Sequence, residues 1–323
     1  MSVQILWRIS PGGIQMKKAG LFLAMLLMLS VAGFVSAHQI TVDGSPTDWQ
    51  ADTSTQNVNT WHLYSNAGEW VWKDATGDVR TDIQDCNPCD PGDTDITEIR
   101  ITSDQDYVYI LVKFRDINKV GGYLEDETEP FGNSKRGLGL IITIDTDQQS
   151  NSGQTWLPKY SNTQVNSNAA WERAVFITTA NDGWNYNKAH IYADYNEFDI
   201  YDPSWNDVGS HNSEAVIDAD NDVIEMKLYK GDLGIQDLSS STIRITVSTI
   251  VHDWSTGNAV IVGDQSNSNV VDVMTTESST WDEVSDGYID YYTDIDIFQV
   301  PFFSNLAVVL AFVLGVVLLF RRL

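Results

Sequence analysis

The feature that most constrains this fold is the alternation of apolar and polar residues along many short segments. Aliphatic or Thr side chains occupy every second position of 243–251, and segments 108–114, 140–144 and 224–229 share this period. A period of two is typical of β-strands that bury one face. Turn-forming Asp, Asn, Gly and Ser separate the segments, and helical periodicity is nearly absent from 38–300. The sequence therefore predicts an all-β fold, a single antiparallel β-sandwich.

Other segments complete the predicted sheets. Residues 171–178 and 189–193 are interpreted as a further pair of strands, and residues 270–274 and 288–297 as closing strands. Leu111 is apolar although it lies between the alternating apolar positions of its strand. We therefore expect this strand to be covered on both faces.

The N-terminal end predicts export. Lys17 and Lys18 precede an apolar core, and Val35-Ser36-Ala37 provides a small-residue cleavage signal. This order predicts a signal peptide that ends at residue 37. Residues 1–15 fit no signal peptide, so Met16 is the expected true start. An uncleaved N-terminal anchor is the alternative interpretation.

The C-terminal end predicts a membrane anchor within 301–323. Residues 302–320 carry no charge and are followed by Arg321 and Arg322. At about 1.5 Å per residue, such a helix crosses a hydrocarbon core of about 30 Å. The arginines place the C-terminus in the cytoplasm and 38–300 outside. A buried core helix is the alternative. The tail also resembles the sorting tails of archaeal surface proteins, so removal of the span by a peptidase stays open.

Composition excludes several classes of function. All 45 acidic residues lie between the two apolar ends, and the net charge is −26, which disfavours nucleic acid and anionic lipid as partners. The 11 Trp, 13 Tyr and 11 Phe exclude a disordered chain. There is no Gly-x-Ser-x-Gly, no His-Glu-x-x-His and no phosphate-binding glycine loop. No carboxylate pair with the surroundings of a glycosidase stands out. The sequence therefore predicts a protein that is not an enzyme.

An acidic loop is the candidate metal site. Asp74 and Asp78 flank Gly77, and Asp95 precedes the next predicted strand. Calcium takes about six to eight oxygen ligands, which such carboxylates supply. The alternative is a solvated acidic loop on a very acidic protein.

The only two cysteines are Cys86 and Cys89, in the sequence CNPC. On the outside of a cell such a pair is usually oxidised or structural. Loop-forming and acidic residues follow, which does not favour a reactive thiolate. A disulfide between them is predicted, and metal ligation is the alternative.

Aromatic residues in polar loops are the candidate sugar-binding residues. Trp156, Trp184, Tyr186 and Trp205 lie among Asn, Asp and Ser rather than at the alternating positions of strands. Ring faces stack on sugar rings, whereas Asn and Asp bind hydroxyl groups. The alternative is that these rings pack in the core, as Trp and Tyr often do.

The order of several segments resembles a known family. Segments 39–50, 74–79, 95–117, 141–148 and 223–235 are similar to successive elements of the C-terminal domain of glucodextranase. That domain is a β-sandwich close to carbohydrate-binding module family nine and the DOMON group. Its opening segment is a strand, which would correspond to 39–50. In the relatives the first acidic element binds calcium, which implies that role for Asp74, Asp78 and Asp95. CNPC is not part of the pattern.

The resemblance and the residues together predict a membrane-anchored, cell-surface carbohydrate-binding module that calcium stabilises and whose partner is a polysaccharide or oligosaccharide. A structural protein of the cell envelope, with envelope proteins as partners, is the alternative. A haem-binding DOMON-type electron-transfer domain is the third interpretation. Met226 would then be a candidate ligand, although its strand position favours packing.

Overall fold

The computed structural model describes residues 40–82, 91–117, 136–179, 188–193, 197–262 and 267–297. These residues belong to one compact unit, Ala37–Val300. The predicted signal peptide and the predicted span at 302–320 lie outside the described residues. Within the described ranges, no helix combines the length and the apolar character needed to cross a membrane.

Strands dominate the described chain. The bounds of the strands are β1 Thr60–Tyr64, β2 Glu69–Lys73, β3 Ile96–Ser103, β4 Tyr107–Phe114, β5 Arg136–Asp145, β6 Gln164–Val165, β7 Arg173–Thr178, β8 Lys188–Tyr192, β9 Phe198–Tyr201, β10 Glu214–Asp218, β11 Val223–Tyr229, β12 Thr242–Asp253, β13 Asn258–Ala259, β14 Val270–Val273, β15 Tyr288–Ile289 and β16 Thr293–Asp296. A short α-helix, α1, spans Thr280–Val284, and single 3-10 turns span Pro46–Asp48, Pro91–Thr94, Ser167–Ala169 and Leu238–Ser240.

Two large antiparallel sheets form the fold. The first has seven strands in the order β1-β2-β3-β4-β11-β10-β8. The second has the order β13-β12-β5-β7-β9, and β14 and β16 also pair with β12. Strands β15 and β6 form a small parallel sheet of their own. The predicted antiparallel all-β fold is confirmed.

One hydrophobic core joins the two sheets. It contains Ile99 and Val112 from the first sheet and Ile142 and Val247 from the second, all fully buried. Met226 is also fully buried in this core, so the packing role favoured for it is confirmed. The two sheets therefore share their inner faces, as in a β-sandwich.

Strand β4 is covered on its outer face as well. Leu111 is fully buried against Ile40 and Trp49, which lie in the segment that precedes β1. The expected burial of this strand on both faces is confirmed.

Two sequence interpretations are wrong. Segments 171–178 and 189–193 do not pair: β7 pairs with β5 and β9, whereas β8 pairs with β10 in the other sheet. The alternation marked both strands but carried no information about which sheet each joins. Residues 40–44 form no strand, because the Glu225 carboxylate accepts the backbone N–H groups of Asp43 and Gly44 at 2.9 and 2.8 Å.

Candidate functional site

A cluster of carboxylates lies between the two sheets. Asp78, Asp95 and Asp272 each offer an oxygen, and these oxygens lie within 4.8 Å of one another. Asp95 directly precedes β3 of the first sheet, and Asp272 lies on β14 of the second. Asp74 follows β2 directly and interacts electrostatically with Asp78 and Asp272. We call these four residues the acidic cluster.

Burial and hydrogen bonds hold two members in place. The Asp272 side chain is fully buried and accepts from the Ile96 N–H at 2.6 Å and the Thr280 hydroxyl at 2.8 Å. Asp95 is also fully buried and accepts from the Gly77 N–H at 2.9 Å. Arg115 lies 3.0 Å from Asp95 and brings one positive charge to the cluster. The geometry of the cluster is therefore set by donors from three chain segments: two backbone N–H groups and one hydroxyl.

Other oxygens of the cluster lack donors. Asp74 is 3% exposed, and its Oδ2 accepts no hydrogen bond from the described residues; the same is true of both Asp78 oxygens. Burial raises the pKa of Asp78 to about 6. Burial, and then the neighbouring carboxylates, raise the pKa of Asp74 and Asp272 well above the usual range. Buried carboxylate oxygens without donors are the ligands that a hard cation takes.

A second group of carboxylates lies apart from the acidic cluster. Asp145, Asp147 and Glu172 offer oxygens within 4.8 Å of one another at the end of β5. Arg244 lies 3.7 Å from Asp145, whose Oδ1 accepts the N–H groups of Asp147 and Gln148 at 3.1 and 2.5 Å. Glu172 Oε1 accepts no hydrogen bond from the described residues. This group therefore closes the turn after β5 and is a second candidate position for a cation.

A cleft of about 660 Å³ lies beside β9 and β13. Trp156, Tyr160 and Trp205 contribute exposed rings to its lining; they are 45%, 80% and 43% exposed. Asn162 and Asn258 add side-chain amides. Exposed rings beside amide groups are suited to a ligand with apolar faces and polar edges, such as a sugar.

Trp171 contacts both residues that carry the exposed indoles. Its ring is fully buried and lies edge-on to Trp205, with 5.6 Å between the centroids. Its Nε1 donates to the Trp156 carbonyl at 3.2 Å. The Trp205 ring and the Trp156 backbone are therefore both held by one buried residue, which limits the conformational entropy lost on binding.

The turn that carries Tyr160 has an unusual backbone. Lys159, Tyr160 and Asn162 all have positive φ angles, 60°, 52° and 53°. Hydrogen bonds fix this turn: the Tyr160 carbonyl accepts from Asn269 Nδ2 at 3.2 Å and the Ser161 carbonyl from the Asn269 N–H at 2.7 Å. Left-handed backbone in residues other than glycine costs energy and is found preferentially at functional sites.

The structure brings together part of each predicted site. Trp156 and Trp205 line the same cleft, although 48 positions separate them in the chain, and Asp78 joins Asp95. Trp184, Tyr186, Cys86 and Cys89 lie outside the described residues, so their roles stay predictions.

Sequence reasoning missed Asp272 and Tyr160. Asp272 has a signal, because it is a lone carboxylate inside the apolar strand sequence VVDV. Tyr160 has none beyond its place in the polar segment 148–168.

Comparison with known proteins places the chain in a family. The model of the family described as the C-terminal binding-module, SLH-like, of glucodextranase matches residues 86–295. No curated protein sequence matches the chain significantly. The matched range includes both cleft tryptophans, Asp95 and Asp272. Asp74 and Asp78 precede it.

Proposed function

Because the chain belongs to the family of the SLH-like C-terminal binding module of glucodextranase, we propose that it is a non-catalytic protein that binds a polysaccharide or oligosaccharide. The family is one of binding modules, which supports a role in binding rather than in catalysis.

The pair of tryptophans on one cleft carries this proposal. Trp156 and Trp205 come from separate loops and remain nearly half exposed; the buried Trp171 packs against the Trp205 ring and donates to the Trp156 carbonyl. Two exposed rings on one concave surface differ from the scattered exposed hydrophobic residues that are normal on proteins. The cleft volume, about 660 Å³, lies within the usual range for a small-ligand site.

Calcium is the proposed stabilising cofactor, bound by Asp74, Asp78, Asp95 and Asp272. The carboxylate oxygens that find no donor among the described residues support this assignment. An ion at this position would connect the first sheet to the second, because Asp95 adjoins β3 and Asp272 lies on β14. Such an ion binds the folded chain and not the unfolded one, so it stabilises the fold.

Attachment to the cell surface completes the proposal. The sequences of the two ends support it: a signal peptide ending at residue 37 and a span at 302–320 followed by two arginines. The description of the family as SLH-like is compatible with a place on the cell surface. The same description is compatible with a structural role in the cell envelope, which is the second candidate function.

A glycan array probed with residues 38–298 tests the binding proposal. We expect Trp156→Ala and Trp205→Ala each to weaken binding of the glycans that the parent binds, by about 1–3 kcal/mol, because each removes one stacking face. Far-ultraviolet circular dichroism reports whether each variant keeps the fold.

Trp281→Ala is the matched control, because Trp281 is 46% exposed but does not line the cleft. It should bind as the parent does. If both cleft variants bound glycans as tightly as the parent, the binding site would lie elsewhere on the protein. Unfolding of both variants would make the two rings part of the packed structure.

A further inference from the structure

Lys159 is the only charged residue among the described residues that line the cleft. Its Nζ lies 2.8 Å from Oδ2 of Asp199, which lies on β9. The Tyr201 hydroxyl donates to the same oxygen at 2.6 Å. The lysine therefore has a carboxylate partner that is itself held by a second donor.

The lysine ammonium is also enclosed by rings. Its Nζ lies 4.5 Å from the centroid of Phe176 and 5.5 Å from that of Tyr201, close enough for cation–π attraction. The backbone of Lys159 is fixed as well, because its carbonyl accepts from the Ala259 N–H at 2.7 Å. The ammonium is therefore directed toward β9 and its partners rather than toward the mouth of the cleft.

We propose that the Lys159–Asp199 pair makes the cleft selective for uncharged sugars over acidic ones. This inference rests on the proposed binding of glycans in this cleft. At long range the net charge of −26 repels a polyanion. At short range a sugar carboxylate meets a lysine whose charge Asp199 already balances, so it must displace Asp199 to gain an ion pair. An uncharged sugar bears neither cost, and it still contacts the aromatic ring faces and the side-chain amides of the cleft.

Matched pairs of oligosaccharides test this selectivity: galactan with galacturonan, glucan with glucuronan, and mannan with mannuronan. Calorimetry on residues 38–298 should show binding of at least one neutral member and at least tenfold weaker binding of its acidic partner. Asp199→Asn keeps the shape of the side chain and an oxygen for the Tyr201 hydroxyl, but leaves Lys159 without a carboxylate. We expect this variant to gain about tenfold in affinity for the acidic member relative to the neutral one. In Lys159→Gln/Asp199→Asn, which removes both charges, that gain should be lost.

The parent protein provides a second measurement that does not depend on the folding of any variant. Residual binding of an acidic member should strengthen as salt rises, because salt screens the repulsion, whereas binding of the neutral member should not change. A parent that prefers the acidic members, or binds them better at low salt, would overturn the inference and leave the proposed function standing. A parent that binds no member of any pair would overturn both.

Discussion

At the scale of single residues, a substitution of Asp78 tests whether the acidic cluster is a metal site or an ordinary group of acidic residues. Its oxygens accept no hydrogen bond from the described residues, so Asp78→Asn removes a charge without removing a bond. We expect this variant to be more stable than the parent without calcium, because one like charge is gone. We also expect it to lose most of the stabilisation by calcium, which for the parent is about 2.7 kcal/mol at a hundredfold excess over the Kd. Thermal melts in calcium and in EDTA measure both effects.

Glu172→Gln is the control for this experiment. It removes a charge of the same kind from the second carboxylate group, where Arg244 lies 3.7 Å from Asp145. Its stabilisation by calcium should equal that of the parent. Loss of the calcium effect in Glu172→Gln and not in Asp78→Asn would place the ion at the second group.

The pKa values predict how the calcium effect depends on pH. Burial raises the pKa of Asp78 to about 6, so the metal-free folded chain holds a proton there that the unfolded chain has already lost. The contribution of this group to the stability of the metal-free protein therefore falls as pH rises through 6. Calcium replaces the proton, so the gain in melting temperature from calcium should grow as pH rises through 6 and should shrink as pH falls through 6.

A comparison with and without calcium at each pH isolates this effect. Burial, with a further contribution from Lys159, lowers the pKa of His252 to about 4, so the stability linked to His252 is lost as pH falls. That loss occurs equally in both samples and cancels in the difference. A calcium effect that stays constant from pH 7 to about pH 5 would contradict the assignment of Asp78 as a ligand.

Which residues of a site can be predicted from the sequence depends on how far apart they lie along the chain. Asp74 and Asp78 follow one strand and Asp95 precedes the next, so their proximity was readable from local order. Asp272 reaches them only because β14 pairs with β12 in the other sheet, which alternation does not reveal. The polar surroundings of Trp156 and Trp205 mark them as loop residues, but their shared contact with Trp171 depends on tertiary structure.

At the scale of elements, β5 and β12 form the longest pairing of the fold, from Arg136–Asp253 to Asp145–Arg244. Gly139 lies on β5 opposite Ile250, and a Cβ placed there would lie 2.7 Å from Ile250 Cγ1 and 3.0 Å from Phe176. We expect Gly139→Ala to lower the free energy of unfolding by about 1–3 kcal/mol through overpacking. Urea denaturation measures this loss. Unchanged stability would mean that the two strands separate more easily than the packing indicates.

The alternation predicted the long strands well and the short ones poorly. Strands β4, β11 and β12 follow the period of two because each buries a face against the shared core. Strands β9 and β10 went unrecognised, because Phe198–Tyr201 and Glu214–Asp218 are short and carry Asp beside their apolar residues. Partner choice among strands is set by packing, and for that reason β7 and β8 were paired wrongly.

At the scale of the whole molecule, oligomeric state distinguishes the two candidate functions. A binding module should be monomeric once its tail is removed, because the described fold buries its core within one chain. We expect light scattering on residues 38–298 to give the mass of one chain, and the full chain to require detergent because of its apolar end. Large ordered assemblies of residues 38–298 without a ligand would favour the structural envelope protein.

Strand β12 connects the cleft to the C-terminal end of the described chain. Strand β16 pairs with the beginning of β12, and β13, whose Asn258 lines the cleft, pairs with its end. A cell held through residue 297 and a polysaccharide held in the cleft would pull on opposite ends of the same strand. Because β16 is antiparallel to β12 and would be drawn along its own length, all the hydrogen bonds between them would resist together rather than open one by one. If the proposed function holds, the bound polysaccharide and the cell would load the protein along the direction of this one strand.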